Sequence, residues 1–377
     1  MLRFLARNLF AVAVLLVATS EVLILQWALL AAGGAALGAG GTLLAVLGVT
    51  AANLGLMTWM RRARSTTRGL RGPFMMVSLG ALLSGPLLLA SLAAGLAGPQ
   101  VAAVGGALAL SIGFGSVFWG YSVGQRRVVV EDVPIPLRGL PEGLEGFTIA
   151  HITDLHIGPQ LRAARLRGFI ERVNEVGADM IAITGDMFDF DPEYVEEGCL
   201  ELAALDAPFG VWAVLGNHDV YTGADTVADG LRKWTSIRLL RDEWTTLDVG
   251  GEPLHLLGID DPGRLWGDPD ASALRRVAAE CPDVPARLLL VHRPNYFEAI
   301  TELGLPIAIA GHTHGGQVAL PPPMQHHNIS RLMTQYTRGL FESEQSLMYV
   351  NRGLGVAGPP IRLNCPREIA RLRLTRR

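Results

Sequence analysis

Five short stretches in the second half of the chain combine histidines with oxygen-bearing side chains. Their candidate functional residues are Asp154, His156, Asp186, Asn217, His218, Asp219, His292, His312 and His314. Imidazole binds transition metals such as zinc, iron, manganese or nickel, whereas carboxylate and amide oxygens suit harder divalent ions. A mixed set of nitrogen and oxygen ligands therefore predicts a centre for transition metals.

The number of these side chains favours two ions rather than one. Two ions about 3.5 to 4 Å apart can share a hydroxide and hold the attacking and leaving oxygens of a displacement at phosphorus. Such a centre needs one carboxylate that bridges the ions, with separate ligands on either side. The pattern thus predicts hydrolysis of a phosphoester by metal-activated hydroxide. A lone histidine is more simply a hydrogen-bonded structural residue, but five motifs together argue against that interpretation.

Each motif follows a short apolar segment that has the length and composition of a buried strand. Helical patterns lie between these segments, for example from Leu161 to Val176. Strands that alternate with helices predict an α/β sheet whose site forms at the carboxyl ends of the strands. The segments cover residues 147–152, 180–183, 211–214, 288–291 and 307–310.

The five motifs resemble those of the calcineurin-like metallophosphoesterases and occur in that family's order. They read Asp-Leu-His, Gly-Asp, Gly-Asn-His-Asp, a single His and Gly-His-Thr-His. The resemblance covers roughly residues 140–370, and the extended motif at 311–317 is most similar to a bacterial membrane-associated subgroup. It implies an α/β fold of two packed sheets flanked by helices, a four-layer αββα sandwich.

The same resemblance implies a role for each motif residue. His218 would face the substrate, where it could protonate the leaving oxygen or stabilise the phosphoryl charge. Asp219 would orient His218 by accepting a hydrogen bond from its ring nitrogen. One metal would be held by Asp154, His156 and His314, the other by Asn217, His292 and His312, with Asp186 as the bridge.

Two arginines beside predicted strand ends, Arg293 and Arg352, are further candidates for binding substrate phosphate. A guanidinium can pair with phosphate through two hydrogen bonds, although a surface salt bridge is the favoured interpretation for both. Of the other histidines, His151 and His255 lie in predicted strands and are expected to be structural. His326 and His327 follow a proline run, and a substrate contact is the less favoured interpretation for them.

The first third of the chain is almost free of charge. From Leu9 to about Tyr121 it carries only Glu21 and an arginine cluster between Arg61 and Arg71. A membrane span needs about 20 apolar residues. Four such segments fit, at 9–30, 42–60, 74–96 and 101–123, although the glycine-rich stretch 33–41 blurs the boundary between the first two.

We therefore expect an all-α transmembrane domain of about four helices in residues 1–127. A linker and first strand follow at 128–146, and the phosphoesterase domain occupies 147–377. Glu21 lies within the first predicted span. We favour a carboxyl that is hydrogen-bonded to a neighbouring helix over a functional group there.

The placement of arginines predicts the orientation in the cell membrane. Arg3 and Arg7 precede the first span, the cluster separates the second from the third, and Arg126 and Arg127 follow the fourth. Under the positive-inside rule all three groups are cytoplasmic, which requires an even number of spans. The catalytic domain is then expected in the cytoplasm.

Composition narrows the range of partners. A formal net charge of −3, with no long basic tract after the membrane region, indicates no nucleic-acid partner. Three scattered cysteines indicate neither a disulfide framework nor a cysteine zinc cluster. The short linker favours a phosphoester substrate in the lipid bilayer, such as a lipid or lipid-linked phosphodiester, phosphomonoester or pyrophosphate.

Two alternatives stay open at this point. One is a nucleotide phosphodiesterase that acts on soluble substrates, and the other is a non-catalytic membrane sensor or scaffold with a structural metal site. The physiological substrate, the choice among manganese, iron, zinc and nickel, and the oligomeric state are not decided by the sequence.

Overall fold

The computed structural model describes residues 9–62, 64–94, 98–263 and 270–377. These residues form two compact units. One unit comprises the chain up to Gln125 together with Gly358–Leu363, and the other comprises Arg126–Ala357 and Asn364–Arg377. Arg3, Arg7 and the predicted end of the third span at Leu96 lie outside the described residues.

The first unit contains four long helices: α1 (Leu9–Ala31), α2 (Ala39–Arg62), α3 (Arg64–Ala94) and α4 (Pro99–Ser122). Each contains a stretch of at least 22 residues with a mean hydropathy of 1.7 to 2.0. At 1.5 Å per residue these stretches can cross a hydrocarbon core of about 30 Å. The predicted all-α region of about four long apolar helices is confirmed for the described residues, and the chain is a membrane protein.

Small residues allow these helices to approach one another closely. A Cβ at Gly85 would lie 2.2 Å from the Ser20 hydroxyl, and one at Gly106 would lie 1.9 Å from the Trp27 ring nitrogen. Glu21 accepts a hydrogen bond of 2.8 Å from the Asn53 amide on α2. The expected hydrogen bond between Glu21 and a neighbouring helix is thus confirmed.

The second unit contains two six-stranded sheets. The first has the order β1-β12-β2-β3-β4-β5 and the second the order β10-β11-β9-β8-β7-β6. Strands β2, β3 and β4 are parallel, as are β7, β8 and β9. The strands are β1 (Val128–Leu137), β2 (Thr148–Ile152), β3 (Met180–Thr184), β4 (Val211–Val214), β5 (Arg238–Leu239), β6 (Glu243–Val249), β7 (Glu252–Ile259), β8 (Arg287–Val291), β9 (Ile307–Ala310), β10 (Gly339–Glu342), β11 (Leu347–Val350) and β12 (Arg367–Arg376).

Alternating side chains of the central strands fill two different cores, because successive residues of a strand point to opposite faces. Ile149 and Met180 belong to a core that also contains Leu288 and Leu290 of the other sheet. Ala150 and Ile181 belong to the other core, which also contains side chains of the helices that cover the outer face of the first sheet. The helices of this unit are α5 (Ala163–Glu175), α6 (Val195–Leu202), α7 (Asn217–Trp234), α8 (Ser272–Glu280) and α9 (Phe297–Glu302).

Helices cover the outer face of each sheet. Helices α5, α6 and α7 pack on the first sheet, while α8 and α9 pack on the second. The order is therefore helix, sheet, sheet, helix, and the predicted four-layer αββα sandwich is confirmed. Strands β2, β3, β4, β8 and β9 each end a few residues before a candidate ligand, so their carboxyl ends carry the predicted site.

Candidate metal centre

The first predicted ligand group is assembled from the ends of β2 and β9. The ligand atoms of Asp154, His156 and His314 lie within 4.8 Å of one another. His314 Nε2 is 3.4 Å from Asp154 Oδ1 and 3.0 Å from His156 Nε2. All three side chains are buried. Three potential donors therefore surround one small space.

The second group comes from β3, β8 and β9. The ligand atoms of Asp186, His292 and His312 also lie within 4.8 Å of one another. His292 Nε2 is 3.2 Å from Asp186 Oδ2, and His312 Nδ1 is 3.1 Å from His292 Nε2. The fourth predicted ligand, Asn217, is buried at the first position of α7.

Asp186 lies between the two groups. Its Oδ2 atom is 3.7 Å from His156 Nε2 in the first group and 3.2 Å from His292 Nε2 in the second. Its Oδ1 atom accepts a hydrogen bond of 2.8 Å from the backbone N–H of His218. One oxygen thus faces both groups while the other is held in place, which is the arrangement that a bridging carboxylate needs.

Unmet hydrogen-bonding capacity shows that the donor set fits divalent cations. Asp154 Oδ1 and Asn217 Oδ1 are buried, and neither has a hydrogen-bond partner within the described part of the chain. The other oxygen of Asp154 accepts from the Thr153 hydroxyl and the backbone N–H of His312, each at 2.9 Å. Buried oxygens normally have partners, and a cation would supply them.

The protein backbone adopts costly conformations to aim these side chains. Five of the seven predicted ligands have positive φ: Asp154, His156, Asp186 and His314 at 51°, and His312 at 70°. Such left-handed conformations cost on the order of 1–3 kcal/mol each for residues other than glycine, and they persist where the surrounding structure enforces them. The tight turns at the strand ends therefore direct the side chains inward.

Burial and charge act in opposite directions on the protonation of the site. Burial raises the pKa of Asp154. Burial would also raise the pKa of Asp186, but the neighbouring His292 and other histidines hold it well below its usual range. Burial lowers the pKa of His292, yet the Asp186 carboxylate raises it to about 10. Divalent cations would displace the proton of His292, since metal ligands bind unprotonated.

His218 pairs with a residue that sequence analysis missed. Its Nδ1 atom is 3.0 Å from Asp189 Oδ1, and the same oxygen is 3.7 Å from His156 Nδ1. Burial would raise the pKa of Asp189, but these two histidines lower it. The signal was present in the sequence, because Asp189 follows Asp186 by three residues in the same loop after β3.

The predicted role of Asp219 as the partner of His218 is wrong. Asp219 is fully buried, and its carboxylate accepts hydrogen bonds from the backbone N–H groups of Gly216 (2.9 Å), Met187 (3.2 Å) and Phe188 (2.9 Å). Adjacent residues of a helix point about 100° apart and do not face each other. Asp219 therefore caps the start of α7 instead of orienting His218.

The predicted phosphate-binding role of the two arginines is not supported, because both guanidinium groups are engaged in ion pairs. Arg293 is buried against Asp261, with one Nη2 to Oδ1 distance of 3.0 Å. Arg352 pairs with Glu368 and, at 2.6 Å, with Glu131. The favoured interpretation as salt-bridging residues is confirmed, except that Arg293 is buried and not at the surface.

The remaining histidines lie outside the two ligand groups. His151 Nε2 is 2.8 Å from the Thr184 hydroxyl, and His255 Nδ1 is 2.8 Å from the Thr246 hydroxyl. Both are hydrogen-bonded within sheets, as expected for structural residues. His326 and His327 are exposed.

Comparison with known proteins places this site in a family. Residues 147–316 match the model of the calcineurin-like phosphoesterases. The chain is 32% identical to a metallophosphoesterase of Aquifex aeolicus over 64% of this chain and 89% of the relative. It is 30% identical to a metallophosphoesterase of Campylobacter jejuni over 65% of this chain and 63% of the relative.

One similar protein carries the same domain and is a transmembrane protein. A transmembrane protein with metallophosphoesterase domain from Danio rerio is 28% identical over 64% of this chain and 56% of the relative. The matched region thus spans less than two thirds of the Danio rerio and Campylobacter jejuni proteins. Sequence match, fold and ligand geometry agree, and the chain belongs to the calcineurin-like metallophosphoesterase family.

Proposed function

We propose that this protein is a membrane-anchored phosphoester hydrolase that uses two divalent metal ions. One observation carries the proposal: Asp186 lies between two buried ligand groups, and a further histidine, His218, lies beside them with its own carboxylate partner. A purely structural metal site needs no such additional acid. This arrangement therefore favours catalysis over the role of a sensor or scaffold.

Each side chain has a defined task in the proposed reaction. Asp154, His156 and His314 would hold one ion, Asn217, His292 and His312 the other, and Asp186 would bridge them. The bound ions supply Lewis-acid charge to the phosphoryl oxygens and lower the pKa of coordinated water. Because Nδ1 of His218 faces Asp189, its Nε2 is the nitrogen that can give a proton to the leaving oxygen.

Substitutions at Asp186 and His218 test the two tasks separately. The full-length protein, purified in detergent with Mn²⁺, should hydrolyse an aryl phosphodiester. Asp186→Ala should lose both bound metal and turnover. His218→Ala should retain metal while kcat falls about 10²-fold to 10⁴-fold, the usual contribution of a general acid. Metal content is measured by elemental analysis and kcat by phenol release.

His327→Ala, at an exposed histidine, is the matched control and should keep both metal and turnover. Full turnover by the His218 variant would show that the acid has been assigned to the wrong residue. Parallel assays with iron, zinc and nickel identify the most active metal. We propose manganese for the first assays, and these assays decide among the four because the mixed ligand set suits each of them.

We further propose that the substrate is a lipid or lipid-linked phosphoester. The four apolar helices hold the chain in a bilayer, and β1 of the catalytic unit begins at Val128, six residues after the end of α4. Delivery of the same phosphoester in vesicles and in solution separates this proposal from a soluble-nucleotide phosphodiesterase. Lipid profiles of cells that lack the protein or carry Asp186→Ala should show one accumulating phosphorylated lipid.

The catalytic unit is proposed to face the cytoplasm. Arginines concentrate at the end of α2, in the first turns of α3 and after α4, while the segment that joins α1 to α2 carries no charge. This asymmetry supports an orientation with those arginines inside. A reporter phosphatase fused after residue 130 should be inactive on the outer side of the membrane. Strong external activity would reverse the assignment.

A further inference from the structure

Two aromatic side chains, Phe190 and Tyr221, lie beside the His218 ring, which also contacts His156. The ring centroid of Phe190 is 4.3 Å from that of His218, and the centroid of Tyr221 is 5.8 Å from it. The rings of Phe190 and Tyr221 are nearly parallel, with an angle of 5° and a distance of 5.7 Å. We call this pair the aromatic shelf. It lies beside the only residue to which the proposed reaction assigns proton transfer.

The shelf presents apolar surface to solvent at a polar site. Phe190 is 50% exposed, whereas the preceding Met187 and Phe188 are fully buried. Neither Phe190 nor Tyr221 belongs to the hydrophobic cores formed by the described residues. Covering an exposed aromatic ring with an apolar ligand is favourable, and the binding free energy that it contributes is roughly proportional to the area removed from water.

The position of the shelf relative to His218 is fixed by Asp189. The backbone N–H of Asp189 donates to the Ile157 carbonyl at 2.9 Å, and the Thr222 hydroxyl donates to the Asp189 carbonyl at 2.7 Å. The carboxylate of the same residue contacts His218 Nδ1. Phe190 follows directly in the chain, so one anchored residue sets both the imidazole and the first ring of the shelf.

We propose that the aromatic shelf is the binding subsite for an apolar leaving group. The inference rests on the proposed function and adds the class of substrate: phosphoesters of an apolar alcohol. In that step water adds its oxygen to phosphorus, the bond from phosphorus to the leaving oxygen breaks, and His218 Nε2 protonates that oxygen. The proton lost by the water restores His218. Because the donor must be within hydrogen-bond reach of the leaving oxygen, the attached group meets the shelf.

Two substrates that differ in their leaving group test the subsite. The full-length protein with Mn²⁺ is assayed on methyl para-nitrophenyl phosphate and on methyl trifluoroethyl phosphate. Phe190→Ala should lower kcat/KM about tenfold on the aryl ester, mainly through KM, and at most about threefold on the trifluoroethyl ester. Each variant is compared with the unmodified protein on the same substrate, so the intrinsic reactivity of the esters cancels.

Matched variants distinguish the subsite from a general loss of structure. Phe190→Leu should restore most of the aryl activity, because it keeps an apolar side chain. Leu200→Ala removes another exposed apolar residue, on α6, and should leave both activities unchanged. Equal losses of Phe190→Ala on the two esters, or no loss on either, would overturn the proposal.

Binding of phosphonates, which are not hydrolysed, tests the subsite independently of the proposed hydrolysis. Phenylphosphonate and hexylphosphonate should bind the Mn²⁺-loaded protein about tenfold more tightly than methylphosphonate in calorimetry. Phe190→Ala should remove that preference. A preference for phenyl over hexyl indicates an aromatic leaving group, and the reverse a lipid chain. If the preference is present but neither ester is cleaved, hydrolysis fails and the subsite stands. If all three phosphonates bind equally, the subsite fails.

Discussion

At the scale of single residues, one carboxylate organises the side of the site where the proton is transferred. Asp189 Oδ1 lies 3.0 Å from Nδ1 of His218, the proposed acid, and 3.7 Å from His156 Nδ1, which is beyond hydrogen-bond distance. A carboxylate on the far nitrogen of a histidine fixes the tautomer and the direction of the ring. Asp189 is therefore a positioning residue for His218.

Asp189→Asn should lower kcat about 10²-fold while the protein keeps its metal. The amide has nearly the same shape but carries no negative charge, so it holds the His218 ring less firmly through Nδ1. The measurements are kcat and metal content. Asp206→Asn, the same change at an exposed position, is the control. A uniform loss of metal would show a structural role instead.

His151 gives a prediction for stability against pH. Burial lowers the pKa of His151 to about 3, while an unfolded histidine has a pKa of about 6.5. The unfolded state therefore binds more protons between these values, and folding stability contributed by this group is lost as the pH falls below 6.5. Between pH 7 and pH 5 the loss is about 2 kcal/mol.

His151→Gln should reduce the drop in melting temperature between pH 7 and pH 5. Glutamine can still hydrogen-bond to the Thr184 hydroxyl but does not titrate. The measurement is thermal unfolding in detergent at both pH values. His327→Gln, at an exposed position, should melt like the unmodified protein at each pH. An unchanged pH dependence in the His151 variant would contradict the assignment.

At the scale of elements, the strand ends and the start of α7 carry the site. Five ligands lie in turns with positive φ, which no pattern of apolar residues encodes. Helix α7 begins at Asn217, and the carboxylate of Asp219 at its third position accepts a hydrogen bond from the backbone N–H of Gly216. The cap of this helix and the proposed Asn217 ligand are thus parts of one turn.

Asp219→Ala should lower stability by about 1–2 kcal/mol, the usual effect of removing a helix cap, and should weaken metal binding. Three backbone N–H groups lose their acceptor, and the turn that holds Asn217 loosens. The measurements are the melting temperature and the Mn²⁺ concentration at half-maximal activity. Asp229→Ala, on the exposed face of the same helix, should lower stability by at most a few tenths of a kcal/mol and should leave the Mn²⁺ concentration at half-maximal activity unchanged. Similar effects of the two variants would refute the capping role.

At the scale of the whole molecule, the αββα unit brings together predicted ligands that are up to 160 positions apart in the chain, from Asp154 to His314. Asp154 and His314 belong to different sheets and lie 3.4 Å apart. The carboxylates and histidines of the two ligand groups are mostly buried, which is unfavourable without a compensating charge. Metal ions are therefore expected to stabilise the folded state as well as to support the reaction.

Removal of metal by a chelator should lower the melting temperature by about 5–10 °C. A ligand at about 100 times its dissociation constant contributes about 2.7 kcal/mol, and each kcal/mol shifts a domain of this size by about 2–4 °C. The measurement is thermal unfolding before chelation, after it, and after Mn²⁺ is returned. Asp186→Asn should show a much smaller change. A melting temperature that does not change on chelation would argue against bound ions in the purified protein.

The sequence by itself determined the chemical type of the site and the kind of elements around it. The order of the five motifs identified the seven candidate ligands, and runs of apolar residues predicted the four long apolar helices and the five strands that precede the motifs. These features are local: ligand type depends on side-chain chemistry, and helix or strand on the periodicity of neighbouring residues.

Only the tertiary structure decided which side chains face each other. Asp189 and Asp219 are both acidic residues near the motifs, but Asp189 contacts His218 and Asp219 caps a helix. Arg293 and Arg352 lie beside strand ends, but Asp261 and Glu368 occupy them. The choice of a hydrogen-bond partner depends on side-chain direction and on segments far away in the chain, which spacing along the sequence does not encode.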